Sequence, residues 1–408
     1  MTDYISIREV YGILENAISP ILRSECLPLS EAEGAVTAEA ITAPFDAPPF
    51  TNAAMDGFAF NRNVLSAGGT ITLPVVGTSY AGAPFQGTFP PNGAIRIMTG
   101  APVPEGADTV IQFERTESTD TTVTFEASAI KAGANVRHRG EEFSMGATVI
   151  PPGTLLTPAW TGLAASLGRD KVTVRKLRVA VFATGDELSA PGTPPPLPVG
   201  HVYNANSATV CALLRHWGAV ATDLGILPDN PIAIREALED ALTHCDILVA
   251  SGGLGEGEHD YTNRVLSDMG CGITHHHVAM RPGKPFSFGR FATTENRYFM
   301  ALPGNPVAAA VSATLFLRRA MRLATGAMTA LELEEVPAQT ALPLKARTGR
   351  TDLVRGTLSV REGVLTFTPM HSQASGMLTT LAGANAMAVL DEHTDHADAG
   401  EVVRCLKF

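Results

Sequence analysis

Apolar positions change their spacing several times along this chain, and each change predicts a different kind of element. Ile5, Val10, Ile13, Leu14 and Ile18 recur at helical spacing, with Ser6 placed to cap the first turn and Glu9 three residues on. Pro20 ends that helix, and Leu29 to Thr42 has the small and apolar residues of a segment crossing between domains. Residues 69–127 alternate and turn often, in the stretches 70–76, 94–98, 108–114 and 121–125, which predicts a small β-rich domain. Pro158 to Leu167 returns to helical spacing, ends at Gly168, and is expected to pack back on the first helix.

From Arg178 the pattern becomes strand, turn, helix, repeated. Buried strands are predicted at 178–183, 220–227, 247–250 and 298–302, each running into a turn and then a helical stretch. The helices fall at about 206–218, 232–242 and 261–269, with a long one from Ala308 to Leu323. Such repetition means a doubly wound, mostly parallel sheet. Loops past the carboxyl ends of its strands gather into one crevice. Glu187, Asp229, Asp260, Lys284 and the Pro303-Gly304-Asn305 turn all fall on loops of that kind. Residues 331–408 are β-rich again, a compact barrel or sandwich. The expected fold is therefore α/β multidomain: a helical linking domain from 1–46 with 144–176, a β-rich insert at 47–143, the doubly wound domain at 177–327, and a C-terminal β-barrel at 328–408.

Composition narrows the partners. A chain of 408 residues with 45% hydrophobic and 17% charged residues is globular and too long for one core. The net charge of −11 argues against sequence-independent binding of nucleic acid or an anionic membrane. An anionic ligand must then be held by local basic groups or backbone amides. Cys26, Cys211, Cys245, Cys271 and Cys405 are scattered with no CxxC, as expected for reduced thiols in a cytoplasmic protein. No stretch approaches the length of a membrane span, and the first residues lack a signal-peptide pattern.

The chemistry centres on Ser251 to Gly257, where Gly252, Gly253, Gly255 and Gly257 put four glycines in six residues after a buried strand. Glycine leaves backbone N–H groups uncovered for an oxyanion such as phosphate, and the helix that follows favours anions at its start. A tight strand-to-helix turn is the alternative. Glu256, Glu258 and Asp260 beside it make sense if a divalent cation bridges them to the anion. Upstream, Met55-Asp56-Gly57 is a turn with one carboxylate at its tip, or merely an Asx-turn. Thr99 and Gly100 sit in a proline-stiffened turn, and the run 136–142, with Glu142 at its end, reads as a charged strand end. Arg350, Arg355 and Ser375 are candidate anion contacts, although an arginine on an exposed edge can simply be protective. His275-His276-His277 invites a metal reading, but alternate residues of a strand point to opposite faces.

Six strings occur in order along the chain: 48–57 (PPFTNAAMDG), 96–108 (RIMTGAPVPEGAD), 184–188 (TGDEL), Ser251-Gly-Gly253 with Gly257, 282–285 (PGKP) and 302–307 (LPGNPV). Together they resemble the molybdopterin molybdenumtransferase family, the MoeA-like proteins and the C-terminal domain of gephyrin. The resemblance implies a four-domain homodimer that inserts molybdate into adenylylated molybdopterin with magnesium-dependent loss of AMP. It implies Glu187, Asp229 and Asp260 as magnesium ligands. Arg281 and Lys284 are placed as cations at the reacting centre, with Asp56, Thr99 and Glu142 in further catalytic positions. Ser251, Gly252, Gly253, Gly255, Gly257, His277, Pro303, Gly304, Asn305, Arg350 and Ser375 fall at binding positions. The chain departs from the family pattern at Leu254-Gly255 for Val-Ser, at Arg281 and His277 for two lysines, and at Glu142 for an aspartate. Competing readings are a pterin-binding or scaffolding paralogue without turnover, and a relative that prefers tungstate or transfers an adenylyl group.

Overall fold

The structure is a computed structural model that describes residues 4–252, 261–292 and 296–408. It divides into two compact units, Met1–Glu39 with Pro152–Phe408, and Ala40–Pro151. The larger unit is organised by a seven-stranded sheet in the order Tyr4–Ile5, Cys271–Val278, Pro285–Phe291, Tyr298–Leu302, Ile247–Ser251, Arg178–Thr184, Val220–Leu227. Its pairings are parallel except on either side of Pro285–Phe291, which runs antiparallel to both neighbours. The sheet is thus mostly parallel, as the alternation of strands and helices predicts.

Two-sided burial explains the unbroken apolar runs in these strands. In Ile247–Ser251, Ile247 and Val249 pack into one core with the first helix, the Ala205–His216 helix and residues 307–324. Leu248 and Ala250 face the opposite core with the Pro231–His244 and Tyr261–Asp268 helices. The first helix, Ile7–Ala17, carries the expected capping box: Ser6 Oγ accepts from the Glu9 N–H, and the Glu9 carboxylate accepts from the Ser6 N–H. It packs on Arg318–Thr325, where Arg319 pairs with Glu15 and lies 4.1 Å from the Tyr11 ring centroid. The expectation that it would pair with the later helix, Pro158–Ser166, overlooked this charge-anchored contact across the chain. The long helix after residue 305 forms in three parts, Pro306–Ser312, a π-helical turn at Ala313–Leu317, and Arg318–Thr325. The region expected to be helical and linking also carries a three-stranded sheet of Glu25–Pro28, Lys171–Arg175 and Val36–Thr37.

At the carboxyl end of the chain, Thr351–Arg361, Val364–Pro369, Glu335–Thr340, Val402–Lys407 and Ala386–Leu390 pair in sequence. The last pairs back with the first, closing a five-stranded barrel. The smaller unit contains a six-stranded sheet with Gly57–Phe60 between Ala94–Ile97 and Thr109–Gln112. Gly57 is obligatory there, because a Cβ would stand 1.9 Å from the Ile111 carbonyl oxygen.

Candidate functional site

The carboxyl edge of the central sheet gathers residues from four separate stretches of the sequence. A cavity of about 790 Å³ is walled by Arg281 to Pro285, by Pro303, Gly304 and Asn305, and by Arg347 to Arg350 with Gln373 to Ser375. The short strand Met280–Arg281 makes this possible by pairing in parallel with the barrel strand, Arg281 beside Asp352. Asp352, 4% exposed, accepts from Arg350 Nε at 3.1 Å and Nη2 at 3.2 Å, fixing that guanidinium in a fork. Four basic side chains, Arg281, Lys284, Arg347 and Arg350, then line one space in a chain of net negative charge. Such a wall suits an oxyanion.

Backbone packing holds the Gly304 part of the lining in place. Gly252, at φ +79°, and Gly304 approach so closely that a Cβ on Gly252 would lie 3.7 Å from the Gly304 Cα. The Gly304 carbonyl accepts from Asn206 Nδ2 at 2.8 Å, and the Val307 N–H at the following helix start donates to the Ser375 carbonyl at 3.1 Å. Ser251, 2% exposed, keeps its hydroxyl buried without a hydrogen-bond partner among the described residues. A buried hydroxyl left unsatisfied costs stability unless something else meets it. Gly253, Gly255, Gly257 and Asp260 lie outside the described residues, as do Glu256 and Glu258.

Arg355 is not the exposed edge residue that the sequence allowed. It is fully buried, with Nε donating to Thr380 Oγ1 at 3.2 Å and Nη2 donating to the Ala374 carbonyl at 3.2 Å. It therefore supports the Gln373–Ser375 wall from behind. Burial, and then the charge of Arg281, lower its pKa from the ordinary arginine value.

The acids are arranged differently. Glu187 and Asp229 follow the adjacent strands Arg178–Thr184 and Val220–Leu227 at the same sheet edge, both exposed and outside the lining of the cavity. Neither makes a side-chain hydrogen bond or ion pair among the described residues. The Glu187 carboxylate folds back to 2.5 Å from where a Gly185 Cβ would stand, room that only glycine leaves. The donor set is all carboxylate oxygen, which fits magnesium, a cation commonly held by one or two carboxylates plus substrate phosphates. No group of three His, Cys, Asp or Glu able to hold a metal occurs among the described residues.

In the smaller unit the structure joins Asp56 to Thr99. Asp56 Oδ1 accepts from the Thr99 N–H and from Thr99 Oγ1, both at 2.7 Å. The two bonds, the backbone one foremost, hold the Asp56 carboxyl below the usual aspartate range. Glu142 is exposed and its N–H donates to the Ala47 carbonyl at 2.9 Å. In the larger unit, His277 is outside the lining of the cavity, and its ring lies 6.1 Å from that of Tyr4, which is part of the lining. His275 Nδ1 is 2.8 Å from Ser287 Oγ, and His276 Nε2 is 3.1 Å from Thr274 Oγ1, so the three histidines do not converge. Tyr4, Arg347 and Gln373 line the cavity and were missed in the sequence. Tyr4 carried no local signal, whereas Arg347 belonged to a visibly basic stretch with Arg350.

Three family models cover most of the chain in order. The MoeA N-terminal region (domain I and II) matches residues 5–168, the "Probable molybdopterin binding domain" matches 180–323, and the MoeA C-terminal region (domain IV) matches 337–408. The molybdopterin molybdenumtransferase of Haemophilus influenzae is 37% identical over 389 residues, covering 95% of this chain and 94% of that protein. The chain belongs to the MoeA family. The Nostoc enzyme of the same name is 32% identical over 99% of this chain and 94% of its own. The crystal structure of the molybdopterin biosynthesis MoeA protein from Pyrococcus horikoshii superposes at a TM-score of 0.81 with 26% identity, over 100% of both chains. In MoeA terms the cavity is shared: Arg281, Lys284 and Gly304 come from the segment matched at 180–323, and Arg350 and Ser375 from that at 337–408.

Proposed function

We propose that this chain is a molybdopterin molybdenumtransferase that inserts molybdate into adenylylated molybdopterin and releases AMP. The observation that carries the reading is the cationic cavity at the carboxyl edge of the sheet, in a chain otherwise acidic. Arg281, Lys284 and Arg350 hold the oxyanion, with the Ser375 hydroxyl as a neutral donor. Ser251, Gly252, Gly304 and Asn305 receive the phosphorylated pterin, whose oxygens satisfy the buried Ser251 hydroxyl. Gly253, Gly255, Gly257 and Pro303 shape that cradle, and His277 stands where the family resemblance expects a lysine. Glu187, Asp229 and Asp260 would hold magnesium, which supplies charge neutralisation as the phosphoanhydride breaks. Asp56, Thr99 and Glu142 complete the set that the family resemblance supplies, and the division into four domains and the homodimer belong to the same reading.

The test is AMP release from adenylylated molybdopterin on addition of molybdate, with and without magnesium. Release that needs both supports the proposal. Nucleotide binding with no AMP formed would favour the non-catalytic paralogue, and release with tungstate alone would favour the tungstate-preferring relative. The double variant His277→Lys/Arg281→Lys measures the family departures directly: equal rates mean that they are neutral. Sedimentation of the purified chain decides the dimer.

A further inference from the structure

The strand Tyr4–Ile5 joins the sheet by parallel pairing, Tyr4 with His277 and Ile5 with Val278. The Ile5 carbonyl accepts from the Ala279 N–H at 2.7 Å, which fixes the backbone just before Arg281. The Tyr4 side chain lines the cavity, and the Lys284 ammonium lies 4.8 Å from the centre of its ring. Lys284 is exposed, and its ammonium makes no hydrogen bond or ion pair among the described residues. A lysine held by nothing spreads its charge over many rotamers and loses conformational entropy when a ligand orders it. An aromatic face attracts the cation without neutralising it or occupying it as a carboxylate would.

We propose that Tyr4 is a positioning residue that holds the Lys284 ammonium at the cavity through a cation–π contact, making the Tyr4–Ile5 strand a working part of the oxyanion site. The inference rests on the reading of this cavity as the place where molybdate binds. Tyr4 touches no reacting atom. It lowers the entropy lost by Lys284 on binding, and it keeps the positive charge available because the ring offers no counter-ion. Tyr4 is 55% exposed, so replacing it removes the contact without opening a core.

The experiment compares the parent chain with Tyr4→Phe and Tyr4→Leu by two measurements. Limiting acetic anhydride, followed by peptide mass spectrometry, reports how far each lysine is held in its ammonium form. Tyr4→Leu should label Lys284 about two- to fivefold faster, the range expected of one exposed cation–π contact, with Lys345 as the unaffected internal reference. Tyr4→Phe should behave as the parent. In the AMP-release assay, Tyr4→Leu should raise the molybdate KM by a similar factor at constant kcat, with Phe restoring it. An unchanged Lys284 labelling rate overturns the proposal, and so does faster labelling with an unchanged molybdate KM. A uniform change at all lysines, or a fall in thermal midpoint that follows the loss of activity, assigns Tyr4 a packing role and also overturns it. If the parent releases no AMP, the function reading fails by itself while the labelling still decides whether Tyr4 holds Lys284.

Discussion

Asp56 illustrates what a single residue discloses before and after folding. An Asp-Gly turn in the sequence is as compatible with a local Asx-turn as with a functional carboxylate, because both need the same short side chain. In the folded unit the carboxylate is committed to Thr99, a turn 43 positions away. Its pKa is depressed, so its contribution to stability is present above the ordinary aspartate range and is lost as pH falls through the depressed value. NMR titration should therefore place the Asp56 midpoint below that of a free aspartate, and Thr99→Val should move it back up. Gly57, next in sequence, is constrained by packing. Gly57→Ala forces a methyl into the Ile111 carbonyl and should destabilise its unit by about 3 kcal/mol or more, read as a lowered midpoint of that unit's thermal transition. Arg355 was the hardest residue to read: an arginine in a strand looks the same in sequence whether it faces water or the core.

Individual elements were legible where burial dictates composition. The Ile247–Ser251 strand announces itself because both of its faces meet helices, leaving no position for a polar side chain until Ser251. The first helix was legible from its cap and its stop, but its neighbour was not, since Arg319 and Glu15 pair across 304 positions of sequence. Ser251 ends its strand with an unsatisfied hydroxyl, and that yields a prediction about the element as a whole. Ser251→Ala should leave the thermal midpoint unchanged or slightly raised, because a buried orphan is removed. It should also weaken binding of the pterin nucleotide by roughly tenfold, about 1.4 kcal/mol, measured by calorimetry. A lower midpoint with intact binding would assign the hydroxyl a structural partner instead.

At the scale of the whole molecule, the sheet, the barrel and a crevice at the carboxyl ends of the strands were all written in the pattern of the chain, yet the way the barrel completes that crevice was not. Its residues come from Tyr4, from 278–285, from 303–305 with Ala308, from 347–350 and from 373–375, and no local spacing relates them. Pairing of Arg281 beside Asp352 brings them together, and that depends on how the barrel meets the sheet. A cationic wall on a chain of net charge −11 also makes a bulk prediction. Raising sodium chloride from about 0.01 M to about 1 M shortens the screening length from roughly 30 Å to roughly 3 Å. Molybdate affinity, measured by calorimetry, should fall over that range, and in Lys284→Ala the fall should be smaller.

The joint between Val307 and Ser375 has a further consequence. Because the helix start is already sealed by the main-chain oxygen of residue 375, the bolt that fastens helix to barrel does not care what side chain that residue carries. On the proposed reading of the cavity, exchanging the hydroxyl at this spot would change an oxyanion contact while the main-chain joint stays in place.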